Sequence, residues 1–257
     1  MEGIIFDVDS TLYSHKENKI PVKTLLALKK LKEIDFPRAI CTSRFSFELS
    51  NLPADLFDYF DLVVLASGNE VFYKKQLTRV SELDRESIDL FMNYIQQNNI
   101  EYRFTTIHNK MVYSPNTNKQ LVEDLAILTS TKPNIGEYNN ERLISLSYFN
   151  VNKEQMNTLE NLTDYVSIVE FEKSGQVCAK GINKAHSLIE LSEVYGIDVS
   201  KIIAVGDGLN DISMIEEAGV GVAVGNAHPK LLLSADYISE PIENGGIYNI
   251  CKHFKIF

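Results

Sequence analysis

Four aspartates lie just past the ends of apolar runs: Asp7 and Asp9 come after residues 4–6, and Asp207 and Asp211 come after residues 202–205. Carboxylates brought close together repel and raise one another's pKa, so this placement calls for an opposing charge. If Asp7, Asp9 and Asp207 converge on one point, a hard divalent cation supplies that charge. Magnesium suits, because it takes carboxylate oxygens and keeps waters and a substrate phosphate in its shell. Thr42 and Ser43, behind the apolar run 38–41, have hydroxyls to donate to phosphate oxygens, and Lys184 and the amide of Asn210 add charge and direction. Phosphoryl transfer is the chemistry that such a set suits. Taken singly, the pieces read as turns, helix caps and solvated side chains. A calcium loop starting at Asp7 is excluded, since its sixth and twelfth places hold Leu12 and Asn18 rather than Gly and Glu.

These residues need elements that bring them together. Apolar runs at 4–6, 38–41, 62–66, 202–205, 220–224 and 237–238 alternate with helical patterns, as in a parallel sheet covered on both faces. Ligands of such sheets bind beyond the carboxyl ends of the strands, where the aspartates and the Thr-Ser pair lie. Val22, Leu25, Leu26 and Leu28 predict a helix over 21–31, and a second runs over 182–195 to a stopping Gly196, with Lys184 at its start. The middle of the chain differs. A cap of the form Ser81-x-x-Asp84 precedes a helical face of Ile88, Phe91, Met92 and Ile95, and Tyr102, Phe104 and Thr106 then alternate. Further alternation at Ile144, Leu146 and Tyr148, and at Tyr165, Ser167, Val169 and Phe171, predicts an open-faced antiparallel sheet. The expected organisation is an α/β core over 1–76 and 176–257 with an inserted α+β domain over 77–175, the chain crossing between them near 74–80 and 173–177.

With these motifs in order, the chain resembles the haloacid dehalogenase (HAD) superfamily of phosphatases, in the Cof-like subgroup with a large C2-type cap. DxDxT matches at Asp7 to Thr11, the serine/threonine motif at Thr42, the lysine motif at Lys184, and GDxxND ends on Asp207 to Asp211. The resemblance implies a Rossmann-like core and an aspartyl-phosphate route. Asp7 would attack phosphorus, and Asp9 would protonate the leaving alcohol and later activate water. It implies magnesium held by Asp7, the backbone carbonyl of Asp9 and Asp207, with Asp211 in support. Thr42, Lys184 and Asn210 would hold the phosphate, Val8 and Ser43 would join the substrate contacts, and Arg44 would either reach the substrate with them or pair with an acidic neighbour. Ser10 and Ser43 stand where the family usually has glycine, and "ASGNEV" replaces its usual Asn-Gly-Ala. A small phosphorylated metabolite, most simply a sugar phosphate, is the expected substrate. A phosphosugar mutase and a slow phospho-ligand-binding protein are the alternatives.

Composition narrows the partners. A net charge of −10 gives no broad cationic face for a nucleic acid, and no apolar run is long enough to cross a bilayer. Cys41, Cys178 and Cys251 form no CxxC pair, which fits a reducing, cytoplasmic setting. The expected state is a monomer or weak homodimer. Cys41 reads as a buried strand residue, and the five histidines, lacking ligand spacing, take surface or packing roles.

Overall fold

The computed structural model describes residues 1–129, 134–170 and 173–257. Two compact units emerge, one of residues 1–43, 52–78 and 184–257, the other of residues 44–51 and 79–183. They divide at other points than the expected boundaries, the second unit taking in 44–51 and running on to Asn183.

The first unit opens with strand β1 (Gly3–Phe6), helix α1 (Val22–Glu33), strands β2 (Arg38–Cys41) and β3 (Leu62–Leu65), then β4 (Glu70–Tyr73) and β5 (Gln76–Val80). The intervening elements are α2 (Arg85–Gln97), β6 (Glu101–Thr106), β7 (Met111–Tyr113), α3 (Lys119–Thr129), β8 (Leu143–Phe149), α4 (Lys153–Glu160), β9 (Val166–Glu170) and β10 (Gly175–Ala179). After them come α5 (His186–Tyr195), β11 (Ile202–Gly206), α6 (Ile212–Glu217), β12 (Val220–Ala223), α7 (Pro229–Ser234), β13 (Tyr237–Ile238) and α8 (Gly246–His253).

The larger sheet runs β13-β12-β11-β1-β2-β3-β4-β5, and its pairs from β13 to β3 are parallel while β4 turns antiparallel to β3. Strands β1, β2, β3 and β11 are buried at every position, which is why, apart from Arg38 at the start of β2, they read as near-continuous apolar runs rather than alternations. The chain leaves β1 toward β2 on one side and returns at β11 on the other, so the switch point lies at the carboxyl end of β1. Register then sets the site. Phe6 pairs with Val205 and with Ile40, which puts the start of the next segment, Asp7, level with Gly206 and Cys41.

The second unit holds a sheet of order β7-β6-β8-β10-β9 with antiparallel pairs throughout. Ile88, Phe91 and Ile95 of α2 and Leu159 of α4 pack with Tyr102, Phe104, Leu146, Tyr148 and Val177 of the strands. The alternate positions carry Thr105, Ser145, Ser147 and Gln176, and these too are buried, so the sheet is not open-faced as the alternation predicts. Gln176 Nε2 donates to Ser145 Oγ at 3.0 Å, which satisfies part of that polar face.

Other expectations shift. The first crossing does fall within residues 74–80, but as structure and not as linker: Lys74 and Lys75 turn with positive φ into β5, and the units divide between Thr78 and Arg79. The second crossing, 173–177, becomes largely β10. Helix α2 is capped by Asp84 itself, whose carboxylate accepts from the Ser87 amide at 2.8 Å. In α1 the buried side is Thr24, Ala27, Leu28 and Leu31, with Val22 and Leu26 exposed. Helix α5 starts at His186, so Lys184 precedes it rather than beginning it. The alternation predicted to end at Phe171 reaches beyond the described residues.

Candidate functional site

Asp7 leaves β1 with its amide donating to the Val205 carbonyl at 2.9 Å, which extends the parallel ladder and fixes its backbone. Its carboxylate Oδ1 accepts from Lys184 Nζ at 2.5 Å, and the same ammonium donates to Asp211 Oδ1 at 2.5 Å. Lys184 is wholly buried, a state a lysine reaches only with charged partners. Asp211 is held from its other side, Oδ2 accepting from the amides of Asp207 at 3.0 Å and Gly208 at 2.8 Å. Its carboxyl group lies so near β11 that a Cβ on Gly206 would come within 2.6 Å of it, so glycine at that strand end is a requirement of close approach. Asp207 Oδ1 accepts from Thr11 Oγ1 at 3.1 Å. One carboxylate oxygen from each of Asp7, Asp207 and Asp211 lies within 4.8 Å of the others.

Burial raises the Asp7 carboxyl well above the usual carboxylate range, with the Lys184 ammonium pulling it back. Burial and then the Asp211 carboxylate push Asp207 up to about 7. For Lys184, burial works to depress the pKa, and the Asp211 and Asp7 carboxylates overcome it and raise the group. Three carboxylates set against one ammonium leave two negative charges uncompensated when all ionise. A donor set made only of oxygens with that deficit fits a hard divalent cation.

The remaining expected residues are placed as follows. Val8 is buried, and its carbonyl accepts from the amides of Leu12 at 2.9 Å and Tyr13 at 2.8 Å, closing a tight loop after β1. Thr42 is buried just past β2, its amide on the Val64 carbonyl and its carbonyl accepting from Ser67. Ser43 follows it, half-buried. Arg44 belongs to the second unit, where Nη1 donates to the Glu48 carbonyl at 2.9 Å and to Asn51 Oδ1 at 2.5 Å. Asn210 sits half-buried in the helical turn Leu209–Asp211 ahead of α6. Asp9 is outside the carboxylate cluster, and its Oδ1 lies 2.7 Å from His15 Nε2.

Sequence reasoning missed two partners. Thr11 was visible as the last residue of DxDxT, but its hydroxyl bond to Asp207 needs the fold to be seen. His15, read from spacing as a surface or packing residue, bonds Asp9, and no spacing signal marks it. Cys41 is buried in β2, where burial pushes the thiol up to about 12 and leaves it no thiolate to attack with. Among the described residues no helix is long and apolar enough to cross a membrane.

The family model for haloacid dehalogenase-like hydrolases matches residues 4–250. The chain is 26% identical over 261 residues to a relative from Bacillus subtilis (strain 168) named as a phosphatase, YkrA, with 98% of this chain and 97% of the relative covered. It is 25% identical over 260 residues to the phosphoglycolate phosphatase of Methanobrevibacter smithii, covering 100% of this chain and 99% of that one. In fold it is similar to the HAD subclass IIB sugar phosphatase BT4131, with a TM-score of 0.90, 24% identity and full coverage of both chains. Motifs, sheet order and family match agree: the chain is an enzyme that belongs to the haloacid dehalogenase-like hydrolases.

Proposed function

We propose that the chain hydrolyses the phosphate monoester of a small metabolite, a sugar phosphate, through an aspartyl-phosphate on Asp7. The observation that carries this reading is the buried Asp7 carboxylate at the switch point, gripped by Lys184 and set within 4.8 Å of Asp207 and Asp211. Asp7 attacks phosphorus while the bond to the leaving oxygen breaks, and Asp9 gives that oxygen a proton. Asp9 then takes a proton from the water that hydrolyses the acyl phosphate. Thr42, Lys184 and Asn210 hold the phosphoryl oxygens, with Val8 and Ser43 contributing to the substrate side. Asp7, Asp207 and the Asp9 carbonyl, with Asp211 in support, would hold magnesium, which would supply charge compensation to the phosphoryl oxygens. Relatives named as phosphatases of small metabolites support the substrate class. The net charge of −10 and three buried free cysteines support a cytoplasmic setting without a nucleic-acid partner.

The test is phosphate release from a panel of phosphorylated sugars and other small metabolites. Release depends on magnesium, stops with chelator and returns on adding the ion back. Asp7→Asn lowers kcat at least about a thousandfold while leaving the circular dichroism spectrum unchanged. Wild-type turnover by Asp7→Asn refutes the nucleophile.

A further inference from the structure

Asp9 is bound differently from the other carboxylates of the motif loops. Its Oδ1 lies 2.7 Å from Nε2 of His15, and both side chains are about a third exposed, at 32% and 35%. The loop between β1 and α1 places the histidine. Ser10 donates its amide to the Tyr13 carbonyl at 2.8 Å, and Asp9 pairs with Tyr13 as an isolated bridge. Ser14 and Lys19 exchange backbone hydrogen bonds across the turn that follows. Two distant segments fasten this loop. Ser14 Oγ donates to Glu243 Oε1 at 2.5 Å, and Asn226 Nδ2 donates to the Ser10 carbonyl at 2.8 Å. The Tyr13 ring meets the imidazole edge-on, with centroids 5.2 Å apart. The ring is thus held against Tyr13 with Nε2 on the Asp9 carboxylate.

We propose that His15 is a positioning residue for the acid–base carboxylate Asp9, an inference that rests on the function proposed above. As the acid, Asp9 carries one proton; with Oδ2 bearing it, Oδ1 can only accept, so His15 Nε2 carries a hydrogen and donates it to Oδ1. The proton for the leaving group then sits on Oδ2. As Asp7 bonds to phosphorus, the bond from phosphorus to the leaving oxygen breaks and its electron pair stays on that oxygen. The Oδ2 proton moves there, and Asp9 becomes an anion. A hydrogen bond to an ionised acceptor is about twice as strong as one to a neutral acceptor, so the His15 contact strengthens as the proton departs. Such a contact lowers the barrier rather than merely aiding binding.

Leaving-group dependence isolates this role. An alkyl phosphate needs the proton to depart, whereas p-nitrophenyl phosphate releases a stable phenolate. For His15→Ala, kcat/KM falls about tenfold for the alkyl ester and no more than about twofold for the aryl ester. His15→Gln, whose Nε2–H can reach the same oxygen, recovers most of the alkyl loss. Equal losses on both esters, no loss on either, or a Gln variant no better than Ala overturns the proposal. If wild type releases phosphate from neither ester, the parent reading fails and takes this one with it. An active wild type with an inactive Asp7→Asn and no leaving-group difference in His15→Ala sinks the histidine's role alone. Melting curves of both variants confirm that each is folded when assayed.

Discussion

Ser10 adopts φ of 58°, in the left-handed region, and its carbonyl is pinned by Asn226. A side chain there costs about 1–2 kcal/mol of backbone strain, while glycine's freer unfolded chain costs about 0.4–1 kcal/mol in return. Strain is the larger effect, so Ser10→Gly stabilises the protein, by up to about 1 kcal/mol in denaturant titration. A lower denaturation midpoint contradicts this. At this scale the chemistry was legible where residue type and position coincide: Asp7, Lys184, Asp207 and Asp211 all meet in the fold. Thr11 and His15 were not legible as partners, because a hydroxyl and an imidazole near an aspartate carry no periodicity that separates a bond from a neighbour.

Elements were readable in proportion to how completely their burial matched one pattern. The fully buried parallel strands stood out as apolar runs, and with them came the switch point that sets the site. Strand β5 did not, since four of its five residues are exposed and its polar Gln76, Thr78 and Arg79 read as linker. Helix α1 buries Thr24 on its inner side and exposes Val22, so its apolar spacing marked a helix but not its face. The same limit explains β8, where Ser145 and Ser147 look solvent-facing by alternation yet are buried. Polar residues signal water only when nothing covers them.

Across the whole molecule the clustered acids couple stability to pH. Burial holds Asp207 near about 7 and Asp7 well above its usual range, so the fold binds these protons more tightly than the unfolded chain does. Their contribution to stability is therefore present at low pH and lost as pH rises from the usual carboxylate range toward 7 and beyond. Without divalent ion, the melting temperature falls between about pH 5 and about pH 8 through these groups, and magnesium raises it far more at the upper end. A magnesium shift of equal size at both ends counts against an ion on these carboxylates. The central claim, phosphoryl transfer to residue 7, has a more direct check. Radiolabelled sugar phosphate is mixed with enzyme and magnesium, quenched in acid within one turnover, and the labelled peptide sequenced. The label is predicted on Asp7, transient in wild type and missing in Asp7→Asn; phosphate release with no protein-bound label at any time contradicts it.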